Sequence, residues 1–399
     1  MIQFHFMNHL LESFLKFKLR SIKRGKLLIN YKDVYSGEFG ENIDKITADL
    51  KINNLSFFFD ILLKGEIGFA EAYIHKKWET SDLPALLKFF LINQQLNEKN
   101  TTDNFFYNFL KKKKFNFKSN SILQAKKNIK YHYDLGNEFY SLWLDPSMTY
   151  SSALFKNKHD DLHIAQNNKY DSIIENLDID NNDLILEIGS GWGGFINRNF
   201  EKTKSKVESL TISKEQFKYV NEKITKNNFD NSKVIFDDYR MFNKLNSYDK
   251  IVSIEMFEAV GKDYWDIFFK KINELLKKGG KAAFQIITIS DKYYHKYSRD
   301  VDFIQKYIFP GGILPSKEIL YNLFRKYNFK LKNEISFGSC YAKTLSIWKD
   351  NFNNKWNTIK KLNFDEKFKN LWNYYLNYCQ IGFESKHTDV SQFYVEKTT

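Results

Sequence analysis

Length, composition and charge narrow the classes of protein to which this chain can belong. With 399 residues it is long enough for two domains, and its 43% hydrophobic and 27% charged residues are typical of a globular protein. Its two cysteines, Cys340 and Cys379, are too few for a disulfide framework or a cysteine-type zinc site. We therefore expect a reducing, cytoplasmic setting and no metal centre.

The excess of positive charge favours a negatively charged partner. The formal net charge is +13, which suits an anionic membrane surface or nucleic acid. An ordinary solvated surface is the alternative. We find no nucleic-acid recognition motif, and no segment approaches the ~20 apolar residues that span a bilayer. The charge thus predicts peripheral attachment to the inner face of a membrane.

Residues 1–125 form the first predicted domain, in which helical patterns are common and strand signals are few. Apolar residues within 10–15 recur at helical spacing beside the lysines and arginines of 16–26. This amphipathic, basic pattern suits an anionic bilayer surface, or else an ordinary helix packed on its own domain. Further along, Pro84 in the first turn of a capped segment predicts another helix start.

From residue 183 onward the pattern changes to alternating strands and helices, which is typical of a parallel sheet with right-handed crossovers. The predicted strands are residues 184–188, 206–212, 233–237, 249–254 and 280–287. Apolar residues at helical spacing predict a helix over 263–277. An aromatic-rich insertion, residues 288–315, follows the fifth strand, and long insertions of this kind often cover a binding site. The predicted fold class is α/β, Rossmann-like, with a smaller, mainly helical N-terminal domain.

The most informative segment is 184–195, where an apolar strand runs directly into four glycines. Glycine tolerates positive φ and lets a ligand approach the backbone closely. Such a loop at the carboxyl edge of a parallel sheet is where nucleotide-like ligands bind. Its Glu-x-Gly-x-Gly spacing resembles the first motif of S-adenosylmethionine-dependent methyltransferases. A plain tight turn, or a site for another nucleotide, is the alternative.

Several blocks resemble the cyclopropane-fatty-acyl-phospholipid synthase family, which includes the mycolic acid methyltransferases. These blocks are residues 131–140, 142–155, 210–216, 238–240, 253–261, 306–316 and 374–379. Residues 65–73 are similar to the N-terminal domain that the phospholipid enzymes carry. The resemblance therefore covers nearly the whole chain. It implies a class I methyltransferase sheet with a helical insertion, with residues 126–399 as the catalytic domain.

The resemblance also implies S-adenosylmethionine as the methyl donor. Glu187 would interact with the ammonium group of this cofactor, and the glycines would let the backbone approach it. The cofactor-binding residues that the resemblance implies are Tyr150, Ser151, Glu187, Gly189, Gly191, Thr211, Gln216, Tyr239 and Arg240. Each of them has a purely structural role as its alternative.

In this family the substrate is a cis double bond within a long acyl chain. Methyl transfer leaves a carbocation, which must be kept from water, and a base then removes a proton from the new methyl group as the ring closes. The resemblance implies a bound bicarbonate as that base. Glu258 and Tyr341 match the glutamate and tyrosine that hold it, and Ile287 matches the residue that offers a backbone contact.

Three positions depart from the best-known bacterial pattern. Ser152 replaces a cysteine, Ala259 replaces a histidine, and Gln285 replaces a histidine of the fifth strand. Gln285 can still donate a hydrogen bond, and Ser152 keeps its backbone N–H, so an anion site can survive. The composition of that site, and the product, stay open. Ser152 and Gln285 are counted with Glu258, Tyr341 and Ile287 as candidate catalytic residues.

The leading hypothesis is a methyltransferase that forms cyclopropane rings on unsaturated phospholipid acyl chains. Alternatives are methylation of the same chains to a branched or methylene product, methylation of a small molecule, and lipid binding without catalysis. The basic charge and the N-terminal domain argue against the small molecule. The acyl length, the headgroup and the oligomeric state stay open, a homodimer included.

Overall fold

The computed structural model describes residues 24–32, 35–41, 45–97, 120–121, 124–125, 127–128 and 135–398. The strands are β1 (Lys26–Tyr31), β2 (Tyr35–Phe39), β3 (Thr47–Ile52), β4 (Trp78–Glu79), β5 (Leu184–Ile188), β6 (Lys206–Thr211), β7 (Ser232–Phe236), β8 (Tyr248–Ile254), β9 (Leu276–Ile289), β10 (Phe329–Ser336) and β11 (Thr388–Lys397). Most of the amphipathic segment predicted before residue 26, and residues 131–134 of a family block, lie outside the described part.

The helices alternate with the strands along most of the chain. They are α1 (Ser56–Ile74), α2 (Leu83–Asn97), α3 (Asn137–Ser141), α4 (Leu162–Asn176), α5 (Gly194–Lys202), α6 (Lys214–Lys226), α7 (Trp265–Leu275), α8 (Asp291–Tyr297), α9 (Phe303–Tyr307), α10 (Lys317–Lys326), α11 (Gly338–Asn354), α12 (Trp356–Ile359) and α13 (Glu366–Glu384). None of the described helices combines the length and the apolar character that a membrane crossing requires.

The chain divides into two compact units, and this division differs from the one predicted. The first unit is Met1–Phe115 with Asn363–Ser385, and the second is Asn116–Leu362 with Lys386–Thr399. The sequence analysis assigned 363–385 to the catalytic domain, whereas α13 packs against α1 and α2. A helix that completes a core far away in sequence carries no local signal of its destination, so only tertiary contacts reveal it.

The first unit contains a four-stranded sheet that the sequence analysis did not predict. The strand order is β2-β1-β3-β4, with β1 parallel to β3 and the other pairs antiparallel. Within β1 the side chains alternate, since Leu27 and Ile29 are buried while Leu28 and Asn30 are exposed. Strands of two to six residues give too few periods to stand out from the surrounding helical patterns.

A sharp kink divides α1 and shapes the core of the first unit. Gly65 has φ 59° and ψ −131°, a conformation that favours glycine, and the second half of the helix then turns back onto the first. A Cβ atom on Gly68 would lie 2.0 Å from the backbone oxygen of Asp60. Beyond the kink, the ring of Phe69 stacks on Trp78 at a centroid distance of 4.3 Å. The backbone of Gly65 therefore makes the kink, and the absence of a side chain at Gly68 permits the close approach that follows it.

The second unit is built on a seven-stranded sheet in the order β10-β11-β9-β8-β5-β6-β7. The strands from β9 to β7 are parallel, and β11 and β10 continue the sheet in antiparallel fashion. The predicted α/β, Rossmann-like fold is confirmed. The sequence analysis missed β10 and β11, and most residues of β10 are exposed or half-buried.

Apolar clusters cover both faces of this sheet. One contains Phe268 and Phe269 of α7 with Phe324 of α10, and the other contains Ile173 of α4 and Val220 of α6. The order reverses at β5, since β6 lies on one side of it and β8 on the other. In open α/β sheets ligands bind at such a switch point, beyond the carboxyl ends of the strands.

The kink in α1 yields a stability test. Gly68→Ala should lower the free energy of unfolding by about 3 kcal/mol, because the new methyl group forces two backbone segments apart. Urea unfolding of the full chain measures the change. The control is Leu63→Ala on the same helix, whose side chain is 69% exposed and which should change stability by less than about 0.5 kcal/mol. Equal stability of both variants would contradict the close approach.

Candidate active site

The glycine turn after β5 leaves space for a ligand beside its backbone. Gly189 and Gly191 have positive φ values of 97° and 49°. The backbone N–H groups of Gly189 and Ser190 both donate to the carbonyl of Leu210 in β6, at 3.0 Å. A Cβ atom on Gly191 would meet no described protein atom within 4 Å. The turn is therefore tied to the neighbouring strand on one side and open on the other.

Glu187, the last but one residue of β5, is a buried carboxyl group at the base of this turn. Its side chain is 3% exposed, and Ser209 of β6 donates a hydrogen bond to its Oε2 at 2.5 Å. Burial raises the pKa of Glu187 to about 8, although Ser209 and the more distant Lys169 and Lys223 oppose this shift. A cationic group placed next to it would favour its ionised form.

The other predicted cofactor residues lie at the end of β6 and in the segments that follow β6 and β7. Thr211, the last residue of β6, donates to Oε1 of Gln216 at 2.9 Å, and both side chains are buried. After β7, the hydroxyl of Tyr239 is buried without a hydrogen-bond partner among the described residues. Arg240 forms a bidentate ion pair with Asp238 at 2.8 and 2.6 Å. The guanidinium of Arg240 is thus held by its neighbour, while the Tyr239 hydroxyl has capacity left for a ligand.

Tyr150 and Ser151 lie in the segment between α3 and α4. The ring of Tyr150 packs against Tyr140 at 5.4 Å and Trp348 at 5.3 Å. The hydroxyl of Ser151 accepts a hydrogen bond from Nζ of the fully buried Lys169 at 2.7 Å. Tyr140 in turn contacts Trp192 of the glycine turn at 4.9 Å. The structure therefore brings this segment next to the turn.

A carboxylate that the sequence analysis did not single out binds three of the candidate catalytic residues. The Oε1 atom of Glu255 accepts hydrogen bonds from the backbone N–H of Ser152 at 2.8 Å and from Nε2 of Gln285 at 2.7 Å. Its Oε2 atom accepts one from the hydroxyl of Tyr341 at 2.7 Å. Ser152, Gln285 and Tyr341 are therefore brought together, and Glu255 is what joins them.

The strand β11 fixes the orientation of the Gln285 amide. Gln392 faces Gln285 across the β9–β11 pair, and its Nε2 donates to Oε1 of Gln285 at 3.0 Å. Tyr394 donates to Oε1 of Gln392 at 2.6 Å, which fixes that amide as well. Since the oxygen of Gln285 is occupied, its NH₂ group must face Glu255.

Glu258 and Ile287 contact each other directly, whereas the resemblance implied that both would contact the bicarbonate. The backbone N–H of Ile287 donates to Oε1 of Glu258 at 2.5 Å. The other carboxyl oxygen of Glu258 is buried and has no partner among the described residues. Burial, with the negative charge of Glu255, raises the pKa of Glu258 to about 8. Near neutral pH Glu258 therefore keeps its proton. Burial also raises the pKa of Glu255, but the three hydrogen-bond donors around its carboxyl group oppose that rise and favour its ionised form.

The residues that were expected to hold a bicarbonate do not fit that ion in this arrangement. Three donors of the expected set, from Ser152, Gln285 and Tyr341, already bind Glu255. The signal that could have revealed this is an acidic residue at the carboxyl end of β8, three positions before Glu258. In the sequence Glu255 lies inside block 253–261, where the resemblance assigns a role to Glu258 but none to Glu255.

Comparisons with known proteins agree with this geometry. A protein-family model described as mycolic acid cyclopropane synthetase matches residues 120–393. The chain is 34% identical to the cyclopropane-fatty-acyl-phospholipid synthase of Escherichia coli, over 86% of this chain and 87% of that protein. It is 30% identical to the tuberculostearic acid methyltransferase UfaA1 of Mycobacterium tuberculosis, over 82% of this chain and 78% of that protein.

A solved structure has the same fold as the second unit. The mycolic acid cyclopropane synthase CmaA1, complexed with SAH and CTAB, superposes with a TM-score of 0.64 at 31% identity. The match covers 68% of this chain and 98% of that one.

The raised pKa of Glu258 predicts a pH-dependent stability. In the unfolded chain this group ionises near its ordinary value of 4.5, whereas in the folded chain it keeps its proton up to about 8. The folded wild type therefore loses stability as pH rises through this window, and Glu258→Gln does not lose that part. The unfolding free energies should diverge in favour of the variant by up to ~1.4 kcal/mol per pH unit.

Urea unfolding at pH 5.5 and pH 7.5 measures this divergence. Glu318→Gln is the control, because Glu318 is an exposed residue of α10 and the same carboxyl group is replaced by the same amide. A difference between wild type and Glu258→Gln that is the same at both pH values would contradict the buried, protonated carboxyl group.

Proposed function

The chain belongs to the mycolic acid cyclopropane synthetase family of S-adenosylmethionine-dependent methyltransferases, and from this premise we propose its substrate and product. The enzyme adds a methylene group to the cis double bond of an unsaturated phospholipid acyl chain and closes a cyclopropane ring. The E. coli relative carries this activity in its name and aligns with 86% of the chain. The acceptor is therefore a lipid olefin in a membrane.

The observation that carries the proposal is the pair of buried carboxyl groups, Glu255 and Glu258, at the carboxyl end of β8. Methylation of an olefin produces a carbocation, and ring closure requires the loss of a proton from the transferred methyl group. Two carboxyl groups that share one proton supply both a charge near the cation and a proton acceptor. A methyltransferase acting on an amine or a hydroxyl group has no cation of this kind to stabilise.

Positioning and exclusion of water are the other tasks of the chain. An alkene is a weak nucleophile, so holding it in line with the methyl donor can contribute ~7–11 kcal/mol. The bound S-adenosylmethionine supplies an electrophilic methyl group, and the residues that would hold it are those of the glycine turn, Glu187 and the ends of β6 and β7. The rings of Tyr150, Trp348 and Tyr341 lie together, and aromatic faces stabilise a desolvated cation by up to ~2 kcal/mol each.

The lipid surface is the partner that we propose for the charge. A net charge of +13 favours binding to anionic headgroups, and this attraction would hold the enzyme at the bilayer from which it draws its acyl chain. Salt should weaken vesicle binding that comes from charge attraction, whereas binding by insertion of apolar groups should depend less on salt.

A second candidate product is a methylated chain without a ring. The replacement of the family cysteine and histidine by Ser152 and Gln285 favours this alternative. So does the likeness to UfaA1, whose name describes a methyltransferase rather than a cyclopropane synthase.

Mass spectrometry tests the proposed function directly. Vesicles of dioleoyl phosphatidylglycerol incubated with the enzyme and S-adenosylmethionine should gain one methylene unit per modified chain. Resistance of the product to catalytic hydrogenation identifies a ring, and uptake of hydrogen identifies an alkene. Glu258→Gln should lower turnover at least ~100-fold while cofactor affinity changes little. An enzyme that never consumes the donor in the presence of oleoyl lipids would refute the proposal.

The state of Glu187 predicts that cofactor binding releases a proton. Near pH 7 the free protein holds this carboxyl group protonated, because its pKa is raised to about 8. The ammonium group of SAH placed beside it should lower that pKa and release about one proton. Calorimetry in phosphate and in Tris, two buffers with different ionisation enthalpies, measures the release. Identical binding enthalpies in both buffers would contradict it.

Glu187→Gln is the matched variant for this experiment. It keeps the size of the side chain and a hydrogen-bonding partner for Ser209, but it has no proton to release. We expect SAH to bind this variant about tenfold more weakly, with the same enthalpy in both buffers.

A further inference from the structure

The carboxylate of Glu255 lies among hydrogen-bond donors that the family resemblance assigns to a bound bicarbonate. We propose that Glu255 itself replaces that ion, accepts the proton of the transferred methyl group, and makes the enzyme independent of bicarbonate. This inference rests on the proposed function, since it names the base for the same reaction. It adds a catalytic residue that none of the family motifs had identified.

The donor set is the first argument. A carboxylate and a bicarbonate ion share a planar, negatively charged O–C–O group, and both are bound by donors in this plane. Oε1 of Glu255 accepts two hydrogen bonds, from Ser152 and Gln285, and Oε2 accepts one, from Tyr341. A carboxylate has about four acceptor positions, so Oε2 keeps room for a proton from the substrate.

The backbone is the second argument. Glu255 has φ 48°, a left-handed conformation that is uncommon for a residue with a side chain. Its backbone N–H donates to the carbonyl of Gln285 at 2.8 Å, so both the main chain and the side chain of Glu255 contact the same residue of β9. Such strain persists only where the surroundings over-determine it, and it is concentrated at functional sites. Here three hydrogen bonds to the carboxylate hold the strained residue in place.

The distribution of charge is the third argument. Lys169 is fully buried, and burial lowers its pKa to about 7; in its charged form it favours the ionised form of Glu255. Burial raises the pKa of Glu255 above its ordinary value, and the hydrogen bonds from Gln285, Tyr341 and Ser152 and the charge of Lys169 oppose that rise. Glu258 has one backbone donor from β9 and no lysine among its influences, and its pKa is raised to about 8. Of the two carboxyl groups, Glu255 therefore has the donors and the neighbouring lysine that favour its ionised form, which is the state that a base requires.

The chemical step balances without a further reactant. The π electron pair of the olefin forms the bond to the methyl carbon as the bond from that carbon to sulfur breaks, and the electron pair of the broken bond stays on sulfur. The cation then forms on the neighbouring chain carbon. Oε2 of Glu255 takes a proton from the new methyl group, and the released C–H electron pair forms the last bond of the ring. The proton returns to water when the product leaves.

Turnover with and without bicarbonate is the first test. The wild-type enzyme is assayed on dioleoyl phosphatidylglycerol vesicles in buffer stripped of carbon dioxide, and again after addition of sodium bicarbonate, with sodium chloride as the ionic control. We expect rates that agree within twofold. A rate that falls at least tenfold on stripping and returns with bicarbonate would overturn the inference.

Two variants at one position provide the second test. Glu255→Gly suits the left-handed backbone and frees the three donors, so turnover should fall at least ~100-fold and recover at least tenfold when bicarbonate is added. The turnover of Glu255→Gln should fall equally but should not recover with bicarbonate, because the glutamine amide still occupies the anion site. Failure of bicarbonate to rescue Glu255→Gly, or wild-type rates in Glu255→Gln, would count against Glu255 as the base.

Thermal unfolding gives a readout that does not depend on activity. Bicarbonate should raise the unfolding midpoint of Glu255→Gly, because the ion binds the folded state alone, and should leave wild type and Glu255→Gln unchanged. If the unfolding midpoints shift in this way but no lipid is methylated, the proposed function is wrong, while the assignment of Glu255 to the anion-binding site is supported. If the wild type methylates lipids and is itself shifted by bicarbonate, the inference fails and the proposed function stands.

Discussion

Burial of negative charge at the carboxyl end of β8 is the constraint on which the site depends. A carboxylate removed from water is costly unless hydrogen-bond donors and positive charge compensate it. For Glu255 that compensation comes from the segment before α4, from β9 and from α11, through Ser152, Gln285 and Tyr341. The sheet order and the placement of α11 are therefore both needed before this group can be charged. Glu258, with fewer donors, instead keeps a proton.

The antiparallel end of the sheet supports this charge from behind. Gln392 of β11 is paired with Gln285 of β9 and holds its amide oxygen, so that the NH₂ group faces Glu255. A histidine at position 285 would present a different geometry and could itself change charge. Gln285 and Glu255 are thus a matched pair: a neutral donor on one strand and a protein carboxylate on the next. This pairing explains how an anion site persists when two members of the usual family set are absent.

Glu187, near the carboxyl end of β5, shows a related effect of burial on a carboxyl group. Glu187 has one hydroxyl donor within hydrogen-bond distance and a pKa raised to about 8. The same low-dielectric setting that keeps this group neutral in the free protein makes its attraction to a cationic ligand strong. The glycine turn that follows Glu187 is open at Gly191 and is hydrogen-bonded to β6. The carboxyl edge of the sheet therefore carries three buried acidic groups, Glu187, Glu255 and Glu258, whose ionised forms a positive charge would stabilise.

The sequence by itself determined the features that local pattern encodes: the parallel strands from β5 to β9 and the glycine turn. Apolar periodicity and motif spacing are properties of neighbouring residues, so they can be read along the chain. Only the tertiary structure decided that α13 joins the first unit and that four short strands form a sheet there. It also decided that Glu255 accepts the hydrogen bonds that were expected to bind a free anion. These features depend on contacts between residues far apart in sequence, and no local period records which donors will meet which carboxylate.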